Sequence, residues 1–293
     1  APLDADYRFD PADPDLIRHP YRPYYEYLRG VPGLHKAATE YYVASRYADV
    51  REVITNHAAF GQGNFVHNIQ LYYGPEFDVM AHSSYRWLSE VFVMQDPPAH
   101  TRLRKLVAFA LTPKSVAAMQ PRIQEIVDGL IDAMLARGEI ELLWDFAYQL
   151  PTLVMCDMLG LEGDERSPAS LARLTRAVAE SFIVFETRAL EPELLAQADA
   201  QMDFLNDFFG RIYDRKRANP RDDLTSALVQ ATDEDGSALT RAEVANVIVA
   251  MFGAGFETTA HMIGNGMLAM HRAPGQWQAL VASPEEIAPR AVD

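Results

Sequence analysis

Cysteine is almost absent from this sequence of 293 residues, since Cys156 is its single example. One thiol excludes an internal disulfide framework and fits a reducing compartment. Basic residues are also scarce: 26 Lys and Arg stand against 41 Asp and Glu, and the net charge of −15 argues against nucleic acid as a partner. The N-terminus has neither a basic start nor an apolar run, so we expect no signal peptide, no membrane anchor and a cytoplasmic location.

What the sequence does contain is enough apolar material for a large core. Hydrophobic residues make up 49% of the chain and charged residues 23%, which is typical of a globular protein in one or two domains. Segments with helical periodicity predominate. We therefore predict a mainly α fold with a small β element.

The small β element is predicted in the region 31–60. The segments GLHKAAT and EYYVAS alternate and carry β-branched or aromatic residues, which indicates two short strands joined by a turn near Thr39 and Glu40. Ser45 then precedes the segment RYADVREVITN and is predicted to cap a helix.

The region 61–95 has glycines, histidines and many aromatics but no sustained period. Such a stretch in a compact protein is typical of a functional loop, and its aromatic content argues against disorder. We predict a substrate-facing loop region with one short helix from Ser83 to Val91. A purely structural excursion of the chain is the alternative.

The longest apolar segment indicates a helix over 240–272. Thr240 and Glu243 form a T-x-x-E capping box at its start, and Pro274 marks its end. Because the segment is apolar nearly all round, we expect a buried central helix. A membrane span of this length is also conceivable. Three polar residues argue against it: Asn246, Glu257 and His261.

A run of small and polar residues, GAGFETT at 253–259, interrupts this helix. Two glycines in a helix interior cost about 2 kcal/mol relative to alanine, but small residues let a flat or large object lie against the backbone. Glu257 and Thr258 place a carboxylate and a hydroxyl beside this position, and a buried carboxylate needs a partner or a purpose. The hydroxyl can bond the carbonyl one turn back. The alternative is a core helix whose glycines only allow close packing, with Glu257 paired to a distant arginine.

His100 and Arg104 lie four residues apart in the helix predicted after an Asp-Pro-Pro signature, and therefore on one face. Together they could bind two acidic groups by charge-assisted hydrogen bonds. A basic solvated face shared with Arg102 and Lys105 is the alternative. Cys156 lies among apolar residues of another predicted helix, and we interpret it as a small core residue.

Three segments agree in order and spacing with one protein family. DPPAHTRLRKLVAFALTPKSV resembles the haem-contacting helix region of bacterial cytochromes P450, and LPTLVMCDMLGLEGDER resembles a helix and turn that follow it. RDDLTSALVQATDEDGSALTRAEVANVIVAMFGAGFETTA resembles the approach to the long distal helix and that helix itself. Any one motif is weak, but together they extend the resemblance over nearly all of the chain. It implies a cytochrome P450 fold, with 1–293 as a single domain that is incomplete at its C-terminus.

The resemblance implies a haem b cofactor and assigns roles around it. Four residues match the cofactor-binding positions of the family: His100, Arg104, Ala254 and Gly255. The first two correspond to positions that hold the haem propionates, and the last two to positions that lie against the ring. Thr258 matches the alcohol that steadies bound oxygen and orders water. Glu257 matches the acid of the proton-delivery route, where the family has Asp or Glu.

The resemblance further implies a monooxygenase that uses O₂ to hydroxylate, demethylate or epoxidise an organic substrate. The chain resembles the soluble bacterial members of the family, which implies that a ferredoxin and a ferredoxin reductase supply the electrons. Substrate contacts are implied in the loop region, near 178–190 and on the central helix. Their apolar side chains predict a small, largely apolar substrate: Phe92, Val93, Phe182, Val247, Ala250 and Met251.

One departure from the family concerns the axial ligand. The family's cysteine lies in a downstream Phe-x-x-Gly…Cys-x-Gly segment, and Cys156 matches neither that position nor its surroundings, so no metal ligand is assigned up to Asp293. We expect the polypeptide to continue beyond Asp293; a truncated, inactive form is the alternative. Two other interpretations stay open: a haem-fold protein used for binding rather than oxidation, and an unrelated helical binding protein with a buried acid–alcohol pair.

Overall fold

Helices account for most of the structure, a computed structural model that describes residues 7–10, 13–19, 21–38, 41–232 and 236–292. The helices up to residue 110 are α1 (Pro14–Arg18), α2 (Glu26–Gly30), α3 (Tyr47–Thr55), α4 (Phe65–Tyr73), α5 (Ser83–Glu90) and α6 (Ala99–Ala110). The next are α7 (Pro113–Ala118), α8 (Gln120–Arg137), α9 (Gln149–Leu159), α10 (Pro168–Ser181) and α11 (Pro192–Ala218). The last are α12 (Leu224–Gln230), α13 (Arg241–Arg272), α14 (Pro274–Ala282) and α15 (Pro284–Val292).

Strands β1 (Leu34–Lys36) and β2 (Tyr42–Ala44) form an antiparallel pair with Leu34 opposite Ala44. The prediction of a mainly α fold with a small β element is therefore confirmed. The turn predicted at residues 39 and 40 lies outside the described residues.

The prediction that Ser45 caps α3 is wrong. Its hydroxyl donates to the carbonyl oxygen of Leu28 at 2.8 Å, which ties the sheet to α2. The residue before α3 is Arg46, and its side chain makes no capping hydrogen bond. A serine near a helix start can serve a tertiary contact instead, and the local sequence does not separate the two roles.

The region 61–95 is more helical than the sequence predicts. Helix α5 confirms the expected short helix, but α4 lies where an irregular loop is predicted. Phe65, Ile69 and Tyr73 follow one another at intervals of four residues, and all three contribute to the core cluster. This stripe is typical of an amphipathic helix, but the aromatic and polar residues between its members hide the period.

The core is built around the first half of α13. Helices α9, α10 and α11 pack against it, and α11 also contacts α5 and α12. Phe209 of α11 and Phe252 of α13 are fully buried, with ring centroids 6.1 Å apart. Full burial of such a side chain contributes about 1.5–3 kcal/mol, so the pairing of α11 and α13 is a main source of stability.

Helix α13 starts and ends where the sequence predicts. Thr240 and Glu243 form a capping box in which each side chain accepts from the other residue's backbone N–H. The helix ends at Arg272, two residues before Pro274. Both boundary signals lie within a few residues of the boundary they mark, which is why they can be read from the sequence.

Burial divides α13 into two halves. Its fully buried residues lie between Val244 and Ala260, as expected for a central helix. The expectation of burial is wrong for the second half, where Met262, Met267 and Leu268 are between 36% and 49% exposed. The apolar residues there occur on all sides of the helix, whereas the described neighbours cover only part of it. Within the described ranges, α13 is the helix that is long and apolar enough to cross a membrane by length and composition, and the burial of its first half is a property of core helices.

Candidate functional site

Ala254 and Thr258 form an exposed strip on α13. They lie one turn apart, at the point where the helix leaves the buried core. The Thr258 hydroxyl donates to the carbonyl oxygen of Ala254 at 2.6 Å, which is the backbone contact that the sequence suggests. The strip therefore presents a small side chain next to a hydroxyl oxygen that still has lone pairs to accept hydrogen bonds.

The glycines on either side of Ala254 serve helix packing. A Cβ added to Gly253 would lie 2.3 Å from Cζ of Phe182, and one added to Gly255 would lie 2.8 Å from Sδ of Met155. Contacts this short force a rearrangement. The structure thus favours close packing as the reason for both glycines, while the predicted contact of Gly255 with haem stays a prediction.

Glu257 is half-buried, so its carboxylate is less buried than its place in an apolar helix suggests. The core ends at this turn of α13, and water reaches the side chain. Glu257 forms no ion pair with an arginine within the part of the chain that the structure describes. It lines a cavity of about 610 Å³ next to α9 and α10, together with Tyr148, Thr175 and Arg176. A carboxylate with access to water in a cavity can exchange protons.

Tyr148 and His261 lie close to Glu257, and the sequence predicts neither of them as a site residue. The Tyr148 hydroxyl and Nε2 of His261 are 3.0 Å apart. Burial raises the pKa of the Tyr148 hydroxyl, and the negative charge of Glu257 raises it further. The spacing of Glu257 and His261 places both on one face of α13. Tyr148 is 113 residues from His261 in the sequence, so no local pattern connects it to them.

His100 and Arg104 lie one turn apart on α6, as predicted. The half-buried His100 ring stacks on Phe92 with centroids 6.3 Å apart, and Arg104 is exposed. Neither side chain forms a hydrogen bond with another described residue. Arg102 is not part of a purely solvated basic face, because it forms an ion pair with Glu243 at the start of α13. The donors of His100 and Arg104 are thus available for an acidic group.

The six predicted substrate contacts lie in different environments. Val247 is 2% exposed and belongs to the core, whereas Val93 is 53% exposed. The Phe182 ring stacks on Trp87 with centroids 5.2 Å apart. The remaining three are half-buried and pack against the core: Phe92, Ala250 and Met251. Burial favours a packing role for Val247, and substrate contact stays a prediction for all six.

Cys156 is a core residue, as interpreted from the sequence. It is completely buried in α9, and burial raises the pKa of its thiol to about 11. A raised pKa disfavours the thiolate, which is the form that binds metals. In the ranges that the structure describes, no group of three or more His, Cys, Asp and Glu side chains could hold a metal ion.

Comparison with known families gives one match. The model of the cytochrome P450 family matches residues 53–287. This span contains α6, α9 and α13, and it includes every residue to which the sequence assigns a site role.

Individual relatives agree with the family match. Cytochrome P450 monooxygenase PikC of Streptomyces venezuelae is 40% identical over 197 residues, which are 67% of this chain and 44% of that protein. The putative cytochrome P450 133B2 of Xylella fastidiosa (strain 9a5c) is 31% identical over 284 residues, which are 97% of this chain and 68% of that protein. The crystal structure of CalO2 has a TM-score of 0.80 at 28% identity, over 97% of this chain and 68% of that chain. The chain therefore spans less than half of PikC and about two thirds of the other two.

Proposed function

This chain belongs to the cytochrome P450 family, and we propose that it acts as a haem-dependent monooxygenase. The reaction would place one oxygen atom of O₂ into a largely apolar organic molecule by hydroxylation, demethylation or epoxidation. The observation that carries this proposal is the strip of Ala254 and Thr258 directly beside Glu257, where α13 leaves the core. The name of PikC, a monooxygenase, supports the same chemistry.

The side chains of this chain suit a haem b group. Ala254 has a small side chain on an exposed helical surface that a flat ring can approach. His100 and Arg104 offer donors one turn apart for two carboxylates, and neither is engaged by another described side chain. We assign the ring contact to Ala254 and Gly255 and the propionates to His100 and Arg104. Bound haem would supply the oxygen-activating chemistry, and the protein would supply binding, orientation and protons.

We assign Glu257 and Thr258 different roles in proton transfer. Glu257 faces the cavity lined by Thr175 and Arg176, where it can take up protons from water. The Thr258 hydroxyl donates to Ala254, so its orientation is fixed and its lone pairs can hold a water molecule above the strip. Glu257 thereby acts as the proton source and Thr258 as the group that places the receiving water.

The substrate would be a small organic molecule with a mainly apolar surface. The candidate contacts come from three elements, which are the turn after α5, the end of α10 and α13. Apart from Met251, they are aromatic or aliphatic hydrocarbon side chains, and such a lining recognises shape and apolar area rather than charge.

We further propose a ferredoxin and a ferredoxin reductase as the source of electrons, and a cytoplasmic location. Membership of the family supports the need for a redox partner. The net charge of −15 gives no reason to expect nucleic acid as a partner. The burial of the first half of α13 gives none to expect a membrane.

The test is the absorbance spectrum of protein purified from the complete coding sequence, reduced and exposed to carbon monoxide. We expect a red-shifted Soret band of the kind given by thiolate-ligated haem. Cys156→Ser is the matched control and should keep the band, because Cys156 is buried with a raised pKa. A colourless protein would overturn the proposal. A haem spectrum without the thiolate band would mean that the protein binds haem for a role other than oxidation.

A further inference from the structure

The N-terminus of α5 is capped by a residue from a distant helix. The residue before α5 is His82, whose side chain makes no capping bond within its own segment. Asp199, on α11, accepts from the Ser84 N–H at 2.9 Å and from the Ser84 hydroxyl at 2.5 Å through one carboxylate oxygen. Its other oxygen lies 2.7 Å from Nδ1 of His82. The Ser83 hydroxyl donates to the backbone carbonyl of Asp199 at 3.1 Å.

Asp199 caps α5 in place of a residue from the same segment. The first N–H groups of a helix have no partner within the helix, and a carboxylate at that end is favoured by the helix dipole. Asp199 meets both needs, yet it lies 115 residues from Ser84 in the sequence. The helical start of α5 therefore depends on the position of α11, which a cap within the same segment would not require.

The other end of α5 is fastened to α13. The Asn246 side chain donates to the Glu90 carboxylate at 3.1 Å. The Trp87 indole N–H donates to the backbone carbonyl of Asn246 at 3.4 Å. Trp87 is buried and stacks on Phe182 at the end of α10. Helix α5 thus spans the space between α11 and α13, and it leads directly into the turn that carries Phe92 and Val93.

A second contact joins α4 to the segment just before α11. The backbone N–H of Leu190 donates to the Tyr73 hydroxyl at 2.8 Å. The Tyr73 ring stacks on Phe77 at 4.0 Å between centroids, and Phe77 stacks on His82 at 4.9 Å. The contacts around Asp199 therefore continue into a column of rings that holds the region from α4 to α5 against the start of α11.

We propose that Asp199 is a positioning residue that latches α5 to α11 through its contacts with His82, Ser83 and Ser84, and so holds in place the turn that carries the candidate substrate contacts Phe92 and Val93. With the latch formed, α5 keeps Trp87 against Phe182, and the turn with Phe92 and Val93 lies at the edge of the core. With the latch broken, the N-terminus of α5 loses its cap, and α5 and the turn after it move away from α11. The effect on substrate contacts rests on the proposed function, whereas the capping of α5 does not.

Hydrogen exchange of the amides of α5 tests the latch in protein from the complete coding sequence. In Asp199→Ala, we expect the Ser84 amide and the first turn of α5 to exchange at least about tenfold faster. Asp199→Asn should stay close to the unchanged protein, because an asparagine oxygen can still cap. Alanine is a good helix former, so α11 itself should not be weakened.

Three further measurements keep the test decisive. Asp203→Ala, an exposed position one turn along α11, should leave exchange in α5 unchanged. Amides of α9 should exchange alike in all variants, which shows that the fold is intact. If Asp199→Ala does not fold, Asp199→Ser should give an intermediate effect, since its hydroxyl can accept only part of the bonds. Unchanged exchange in α5, or equal acceleration in α9, would overturn the latch.

The effect on ligand binding is tested by stopped-flow binding of 4-phenylimidazole, a small apolar azole, to the haem-loaded protein. We expect the association rate to rise several-fold in Asp199→Ala and to stay within about twofold in Asp199→Asn and Asp203→Ala. An unchanged rate together with faster exchange in α5 would overturn the effect on ligand binding and keep the latch. Protein without haem would overturn the proposed function, while the exchange experiment would still decide on the latch.

Discussion

Gly253 is a residue at which an added methyl group would meet a tightly packed ring. Its Cβ would lie 2.3 and 2.4 Å from two atoms of the Phe182 ring and 3.0 Å from Val178. The ring cannot move freely, because it also stacks on Trp87. We expect Gly253→Ala to lower the free energy of unfolding by about 1–3 kcal/mol, the usual cost of overpacking, as measured by urea denaturation.

Gly266→Ala is the matched control on the same helix. Nothing lies within 4 Å of a Cβ added at Gly266, so only the gain in helix propensity applies. We expect the free energy of unfolding to rise by up to about 1 kcal/mol. The same effect for both variants would mean that Phe182 does not press on Gly253.

Thr258→Ala tests the hydroxyl of the exposed strip. Its bond to Ala254 lies at an exposed position, so we expect stability to change by no more than about 0.5 kcal/mol. Under the proposed function, less product and more hydrogen peroxide should form for each electron pair consumed. Thr258→Ser keeps the hydroxyl and should retain most of the product yield. Unchanged product yield in Thr258→Ala would remove the role assigned to this residue.

The sequence predicts one contact of this helical turn but not the neighbours of its glycines. The bond between Thr258 and Ala254 joins residues one turn apart, and it can be inferred from the pattern alone. The neighbours of the glycines cannot, because Phe182 and Met155 belong to other helices and the same small residues would suit a ligand. The half-buried state of Glu257 likewise depends on where the surrounding helices stop covering α13.

At the scale of secondary-structure elements, the N-terminus of α13 carries two interactions that can be tested separately, a capping box and an ion pair. Glu243 accepts from the Thr240 N–H at 2.7 Å with one oxygen and pairs with Arg102 of α6 through the other. The two charged side chains are 34% and 25% exposed, so water screens the pair. A double-mutant cycle with Arg102→Ala and Glu243→Gln should give a coupling of about 0.5–1 kcal/mol.

Glutamine is the informative replacement in this cycle because it can maintain the capping box. The coupling therefore reports the bond between α6 and α13 rather than the cap. Thr240→Ala, which removes the cap and leaves the ion pair, should cost about 1 kcal/mol by itself. A coupling close to zero would mean that the ion pair does not hold the two helices together.

Elements with local boundary signals are the ones that the sequence predicts well. The capping box of α13 and the short strands β1 and β2 are recognisable within a few residues. Helix α4 is missed because aromatic and polar residues obscure its apolar stripe. Helix α5 is found, but the carboxylate that caps it comes from Asp199, which only the folded chain brings near.

At the scale of the whole molecule, a buried lysine joins three helices. Nζ of Lys216, on α11, lies 2.7 Å from a carboxylate oxygen of Glu162 after α9 and 2.7 Å from one of Asp223 before α12. Lys216 is 1% exposed and Asp223 5%. Gly160 allows this approach, since it has a positive φ of 68° and a Cβ there would lie 2.3 Å from the Asp223 carboxylate. No pattern in the sequence brings these residues together.

Removing the lysine should be costly because it leaves a buried carboxylate without a cation. We expect Lys216→Met to lower the free energy of unfolding by about 3 kcal/mol, since methionine fills the space but cannot neutralise Asp223. Arg217→Met, at the exposed neighbouring position, should change it by no more than about 0.5 kcal/mol. Adding Asp223→Asn to Lys216→Met should restore part of the loss, because asparagine can still accept from the Ser226 N–H and carries no charge. If the double variant is less stable than Lys216→Met, packing rather than charge determines what Lys216 contributes.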